Sequence, residues 1–180
     1  MSPKTRRESF GTAPSGKTAG RTLPAGKLPA LSEGDRAPAF SLPRDGGGSV
    51  SLSDFAGRKL VIFFYPRAGT QGCTVEAKDF SRLARKFSDA NTGLLGISAD
   101  SVRALDLFRK KNLLNIPLAS DEEHNVLKAY GVWDRKSMYG KVFDGIVRTT
   151  FLIDETGSVS HIWKKVKVVG HAEGVLSQVK

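Results

Sequence analysis

The stretch FFYPRAGTQGCTVEAKDF, residues 63–80, decides the fold. It lies across the end of one apolar run and the start of a periodic one. The run KLVIFFYP, residues 59–66, is continuous in apolar, β-branched and aromatic residues, the pattern of a strand buried on both faces. Pro66 closes it, because proline brings no donor to a sheet ladder. Beyond it Ala77, Phe80, Leu83, Ala84 and Phe87 recur at intervals of three and four, which lines one face of a helix ending near Phe87. Lys78, Arg82 and Arg85 take the opposite face. The chain's one cysteine, Cys73, falls where that helix begins.

Two readings of Cys73 compete. A free cysteine is often a small buried hydrophobe with no chemistry. In the first turn of a helix, however, unpaired N–H groups and the helix dipole favour an anion, and such placement lowers a thiol pKa and yields the nucleophilic thiolate. The residues before Cys73 are small or hydroxylated, which predicts solvent access for a small electrophile. A strand, a turn and a cysteine opening a helix also lay out a thioredoxin-like redox site, but Thr70 stands where C-x-x-C needs its first cysteine. Exchange within one dithiol motif is excluded, and the Thr70 hydroxyl is left to orient a polar substrate.

Outward from this junction, GLLGISAD (93–100) reads as the next strand. Asp100 or Ser101 caps a helix through Lys111 with Val102, Leu105 and Phe108 inward, and Asp121 caps another to Tyr130. VRTTFLID (147–154) and VSHIWKK (159–165), joined by Glu155, Thr156 and Gly157, form a β-hairpin. Residues 171–180 close with a helix. RDGGGS (44–49) lacks the lysine of a phosphate-binding loop and reads as a turn. Strands alternating with helices predict one α/β domain over residues 32–180, a sheet flanked by helices.

Residues 1–31 differ in kind. They mix Pro, Gly, Ser and Thr with six basic residues against Glu8, supply half of the net charge of +10, and offer almost nothing to bury, so a disordered basic extension is expected. Its Arg and Ser content resembles a transit peptide, yet frequent Pro and Gly spoil the amphipathic helix such peptides need. A solubilising tail is the plain reading and a tether for nucleic acid the sharper one.

Composition sets further bounds. With 180 residues the chain suits a single domain plus an extension, and one cysteine excludes an intramolecular disulfide. His124, His161 and His171 lack ligand-type spacing, so no metal is expected. No apolar run approaches the roughly 20 residues needed to cross a bilayer, and no secretory signal opens the chain, so no membrane partner is expected and the default compartment is cytoplasmic. Thiols stay reduced there.

Pro66, Thr70 and Cys73 together form the P-x-x-x-T-x-x-C motif of peroxiredoxins. The whole segment, with GISADSV, PLASDEEHNVLKAYGVW and MYGKVFDGIVRTTFLID, resembles the bacterioferritin-comigratory-protein (Q-type) branch over about residues 32–180. The resemblance implies a thioredoxin-like fold with a central mixed β-sheet flanked by helices, and a thiol-dependent peroxidase of hydrogen peroxide and alkyl hydroperoxides needing no cofactor. It makes Cys73 the peroxidatic cysteine, Thr70 the hydroxyl that binds peroxide, Pro66 the shield of the pocket and Arg148 the support of thiolate and substrate. Read alone, Arg148 is a surface arginine on a strand; a guanidinium in the implied role stabilises both the thiolate and the charge on the departing oxygen.

Three departures from that branch matter. Gln71 replaces a common proline, which loosens a turn without removing a catalytic group. Many relatives carry a resolving cysteine where this chain has Lys78, and others near Arg109. A one-cysteine cycle follows, in which an external thiol (thioredoxin, glutaredoxin or glutathione) regenerates the Cys73 sulfenic acid. Relatives of this branch are often monomers, and a monomer is expected. Lys78 reads as a solvated lysine and Glu76 as a surface acid suited to the helix dipole. The alternatives are a peroxide sensor relaying oxidation on the same scaffold, and a chromosome-associated antioxidant held by the basic tail. Beyond that last reading no nucleic-acid partner is expected.

Overall fold

The computed structural model describes residues 30–179. The disorder expected of residues 1–31 therefore falls almost wholly outside the described residues. The domain begins with β1 (Ser41–Pro43) and β2 (Ser49–Ser51), an antiparallel pair. The RDGGGS turn joins them, with Gly46, Gly47 and Gly48 all at positive φ, a region glycine enters without steric penalty. A short 3₁₀ turn (Leu52–Phe55) then leads to β3 (Lys59–Phe64).

Three of the next elements match the sequence pattern, α1 (Gln71–Asp89), β4 (Thr92–Ser98) and α2 (Val102–Asn112), and a short strand the pattern did not mark, β5 (Leu118–Ser120), follows them. Ser101 caps α2 by accepting a hydrogen bond from the Ala104 N–H at 3.3 Å, as its residue type favours. After α3 (Asn125–Ala129) come β6 (Trp133–Met138) and β7 (Lys141–Ile146), a separate antiparallel hairpin. Then β8 (Thr149–Ile153), β9 (Val159–Lys164) and α4 (His171–Val179) complete the domain.

The central sheet runs β5-β4-β3-β8-β9. β3 pairs in parallel with β4 and antiparallel with β8, so the sheet is mixed as expected. β3 is buried along nearly its whole length. Its alternate residues feed two cores: Val61, Phe63 and Tyr65 pack against α1, α2 and α4, while Leu60, Ile62 and Phe64 face α3 and the N-terminal strands. Phe63 stacks on Phe80 with ring centroids 4.7 Å apart, which seats α1 on the sheet.

Three expectations need correction here. β3 stops at Phe64, two residues short of Pro66, although the Tyr65 N–H still bonds the Ile97 carbonyl at 3.2 Å. Asp121 does not sit at the start of α3: the N-cap position is His124, in left-handed backbone at φ 62°. The buried Asp121 carboxylate instead reaches past the turn to accept from the Leu127 N–H at 2.8 Å. Thirdly, residues 133–146 form a hairpin where the sequence pattern marks no element.

Candidate active site

The chain reverses direction between the end of β3 and the start of α1. Pro66 is half-buried at this bend, and Gly69 takes φ +83° within it. Asp100, just beyond β4, holds the bend by accepting from the Ala68 N–H at 2.7 Å and from the Ser98 hydroxyl at 2.8 Å. Thr70 is the N-cap residue of α1. Its hydroxyl donates backward to the Arg67 carbonyl at 2.9 Å, and its own carbonyl accepts from the Thr74 hydroxyl at 2.7 Å. Cys73 thus occupies the first turn of α1, as its place in the sequence predicts.

The expected solvent access does not hold in this conformation. Cys73 is 1% exposed and sits in the core formed by Tyr65, Ala77 and Phe80. Arg148 meets it there. One guanidinium nitrogen, Nη2, donates to Cys73 Sγ at 3.3 Å, and the other, Nη1, donates to Glu76 Oε2. Gly72 leaves room for this approach, since a Cβ there would lie 3.3 Å from Nη2. Arg148 reaches the sulfur because β8 is antiparallel to β3 with Thr149 opposite Phe64. The start of β8 therefore lies beside the end of β3.

Glu76 corrects another expectation. It is 1% exposed, not a surface acid. It lies one turn beyond Cys73 on the stripe Cys73, Ala77, Phe80, Leu83 and Phe87 that faces the sheet, so helical spacing alone could have placed it inward. Burial raises its carboxyl to about 7, and the charge and hydrogen bond of Arg148 only partly offset that rise. Oε1 meets no hydrogen-bond partner among the described residues. For Arg148, burial works against the charge, but Glu76 and then Cys73 outweigh it and hold the guanidinium above its ordinary range.

Two more residues share this field, and neither carried a signal in the sequence. Lys136, half-buried on β6, is depressed first by burial and then by the charge of Arg148, with Cys73 acting in the opposite sense. His171 opens α4, its Nε2 2.8 Å from the Thr150 hydroxyl and its ring edge-on to Phe80. Burial, then Arg148, lowers it to about 4, so the ring is neutral at pH 7. Lys78 is exposed, as expected, and Arg109 is turned to other partners.

The arrangement is a single buried sulfur beside a guanidinium that donates to it, suited to stabilising negative charge at that atom. The sequence pattern of the AhpC/TSA family matches residues 33–162. The chain belongs to the AhpC/TSA family. Within that family it is 43% identical over 150 residues to Peroxiredoxin Bcp of Escherichia coli (strain K12), covering 83% of this chain and 96% of that protein. It is 45% identical over 146 residues to a putative peroxiredoxin bcp of Coxiella burnetii, covering 81% and 97%. Among solved structures, Peroxiredoxin Q of Xanthomonas campestris superposes with a TM-score of 0.75 at 43% identity, over 78% of this chain and 89% of that one. As an AhpC/TSA peroxiredoxin the protein has the thioredoxin-like fold and is a thiol-dependent peroxidase, with peroxides as substrates and a thiol as reductant. These comparisons favour neither the relay reading nor the chromosome-tethered one.

Proposed function

We propose that Cys73 is the peroxidatic nucleophile of a one-cysteine cycle. The observation that carries this reading is the Arg148 guanidinium donating to the sulfur of the chain's one cysteine. The Cys73 thiolate attacks one peroxide oxygen and the O–O bond breaks. The departing oxygen leaves as alkoxide or hydroxide and takes up a proton, giving alcohol or water and a Cys73 sulfenic acid. Arg148 is charged throughout and has donors to spare for the departing oxygen. Glu76 holds the guanidinium from the side away from the sulfur. Thr70, at the mouth of the bend, takes the peroxide hydroxyl in exchange for its contact with the Arg67 carbonyl, and Pro66 walls the pocket against water.

A sulfenic acid with no second cysteine in its chain condenses with an external thiol, releasing water and leaving a mixed disulfide; a second thiol then frees Cys73. Thioredoxin, glutaredoxin and glutathione are all suited to that step, and a cytoplasmic setting keeps such thiols reduced. One chain supplies Cys73, Glu76 and Arg148, which supports a working monomer over residues 32–180. Alkyl hydroperoxides join hydrogen peroxide as substrates. A solved bacterioferritin comigratory protein of Xanthomonas campestris, 42% identical to this chain with a TM-score of 0.74, is described for its alkyl peroxide reduction activity.

The test is intact mass after one equivalent of hydrogen peroxide, followed by candidate thiols one at a time. The wild type gains one oxygen and then a thiol adduct that clears with further thiol. A Cys73→Ser protein that still consumes hydroperoxide would overturn the assignment.

A further inference from the structure

On the sheet face away from Cys73 lies a cavity of about 500 Å³, a volume within the range of small-molecule sites. Its walls come from β8, from the segment after α3 and from the edge strand β9, and Ala30 and Leu31 close one side. Tyr130, Val132 and Phe151 in those walls are each 2% exposed.

Two hydroxyls of the wall are already engaged. The Tyr130 hydroxyl donates to the Pro38 carbonyl at 2.9 Å and the Thr149 hydroxyl to the Val147 carbonyl at 2.8 Å. Most of what faces the cavity is therefore ring and methyl surface. Charge is confined to the rim, where the exposed Lys128, Lys164 and Lys165 stand against Asp134. None of the three lysines pairs with a carboxylate among the described residues.

An apolar interior under a cationic rim complements a molecule with an apolar chain and one anionic head. We propose that this cavity binds a single-chain aliphatic carboxylate, its chain against Phe151, Val132 and Tyr130 and its head among the rim lysines. The site is separate from the peroxidatic centre, although Val147 and Thr149, which line it, flank Arg148. The proposal does not rest on the role assigned to Cys73.

The test uses the full-length Cys73→Ser protein, so that no peroxide chemistry intrudes, and titrates it calorimetrically with monomeric decanoate. One-to-one saturable binding is expected. Octanoate should bind roughly tenfold more weakly for the loss of two methylenes. A Lys128→Glu, Lys165→Glu double variant should lose on the order of tenfold, and Lys164→Glu a smaller factor in the same direction. Decanol should bind more weakly than decanoate, and acetate should give no saturable signal. The proposal is overturned if decanoate does not saturate, if decanol binds equally well, or if the lysine reversals change nothing. Binding seen only after removal of residues 1–29 would also overturn it, by assigning the cavity to the chain's own N-terminal segment.

Discussion

Two buried carboxylates in this domain each meet one arginine, and their surroundings differ. Asp45, fully buried in the turn after β1, has both oxygens occupied: Oδ1 accepts from the Leu118 N–H at 2.7 Å and Oδ2 from Arg109. Arg109 in turn donates to the Leu114 carbonyl at 3.1 Å. The pair ties the β1–β2 turn to β5 and the end of α2. Glu76 has one oxygen on Arg148 and one without a partner among the described residues, and Arg148 carries a further donor to Cys73 Sγ. A saturated pair stabilises a corner of the fold. Under the role proposed for Cys73, a pair left short of one bond beside that sulfur holds its cation ready for charge that has yet to form. Both carboxylates are buried, so burial alone does not tell the two pairs apart, whereas their hydrogen-bond partners do.

The most severe way to break this comparison is at the sulfur itself. Cys73→Ser should abolish peroxide turnover in a coupled thiol-oxidation assay while the thermal midpoint changes little. Next in size, Arg148→Met should lower kcat/KM by about 10²- to 10³-fold, the usual loss when one preorganised donor to a developing charge is removed. Arg148→Lys should recover only part, because an ammonium is a single point charge and lacks the planar fork whose two nitrogens meet Glu76 and Cys73 separately. Asp45→Ala should do the reverse of both. It should cost about 3 kcal/mol in denaturant unfolding by stranding Arg109 and the Leu118 N–H, yet leave the folded fraction's kcat/KM near that of the wild type. Were Asp45→Ala to lose activity as Arg148→Met does, the distinction between the two pairs would fail.

The smallest effect is in the pH dependence of stability, where two groups near Cys73 act with opposite signs. Glu76, raised from 4.5 to about 7, binds its proton more tightly folded than unfolded, so its contribution is full at low pH and is lost as pH climbs towards 7. His171, lowered from 6.5 to about 4, is the converse: its contribution is present above pH 6.5 and is lost as pH falls towards 4. The wild type should therefore show a shallow profile between pH 4.5 and 6.5. Glu76→Gln should make stability rise with pH across that window, and His171→Asn should make it fall. Unfolding curves at a series of pH values read both slopes directly, and parallel profiles for the two variants would refute the pairing.

What the sequence disclosed follows from how local each signal is. β3 and α1 are legible because an unbroken apolar run, a proline and a helical period all lie within thirty residues, and the place of Cys73 comes with them. The motif supplies Thr70 and Pro66 on the same terms. Arg148 lies 75 residues from its sulfur, and only a family resemblance pointed to it. Glu76 has the spacing of a buried residue, but an acid in the first turn of a helix suits the dipole at the surface equally well, and the arginine that draws it inward lies far along the chain. The β6–β7 hairpin is illegible in the sequence because most of its residues are exposed on both strands, so no two-residue alternation marks it. Asp121 was the right residue type for a cap, but the turn after it delays the helix to Asn125.

The register between β3 and β8 carries a further consequence. Phe64 faces Thr149, and a slip of a single position would turn Arg148 towards the opposite side of the sheet. The guanidinium and the sulfur are therefore brought together only when these two strands have zipped into their one correct alignment. A chain still emerging from synthesis, or one partly unravelled by heat, lacks that electrostatic partner. Under the role proposed for Cys73, arginine-assisted attack on peroxide therefore belongs to the completed fold, and Cys73 oxidation in a partly unravelled sample should be slower.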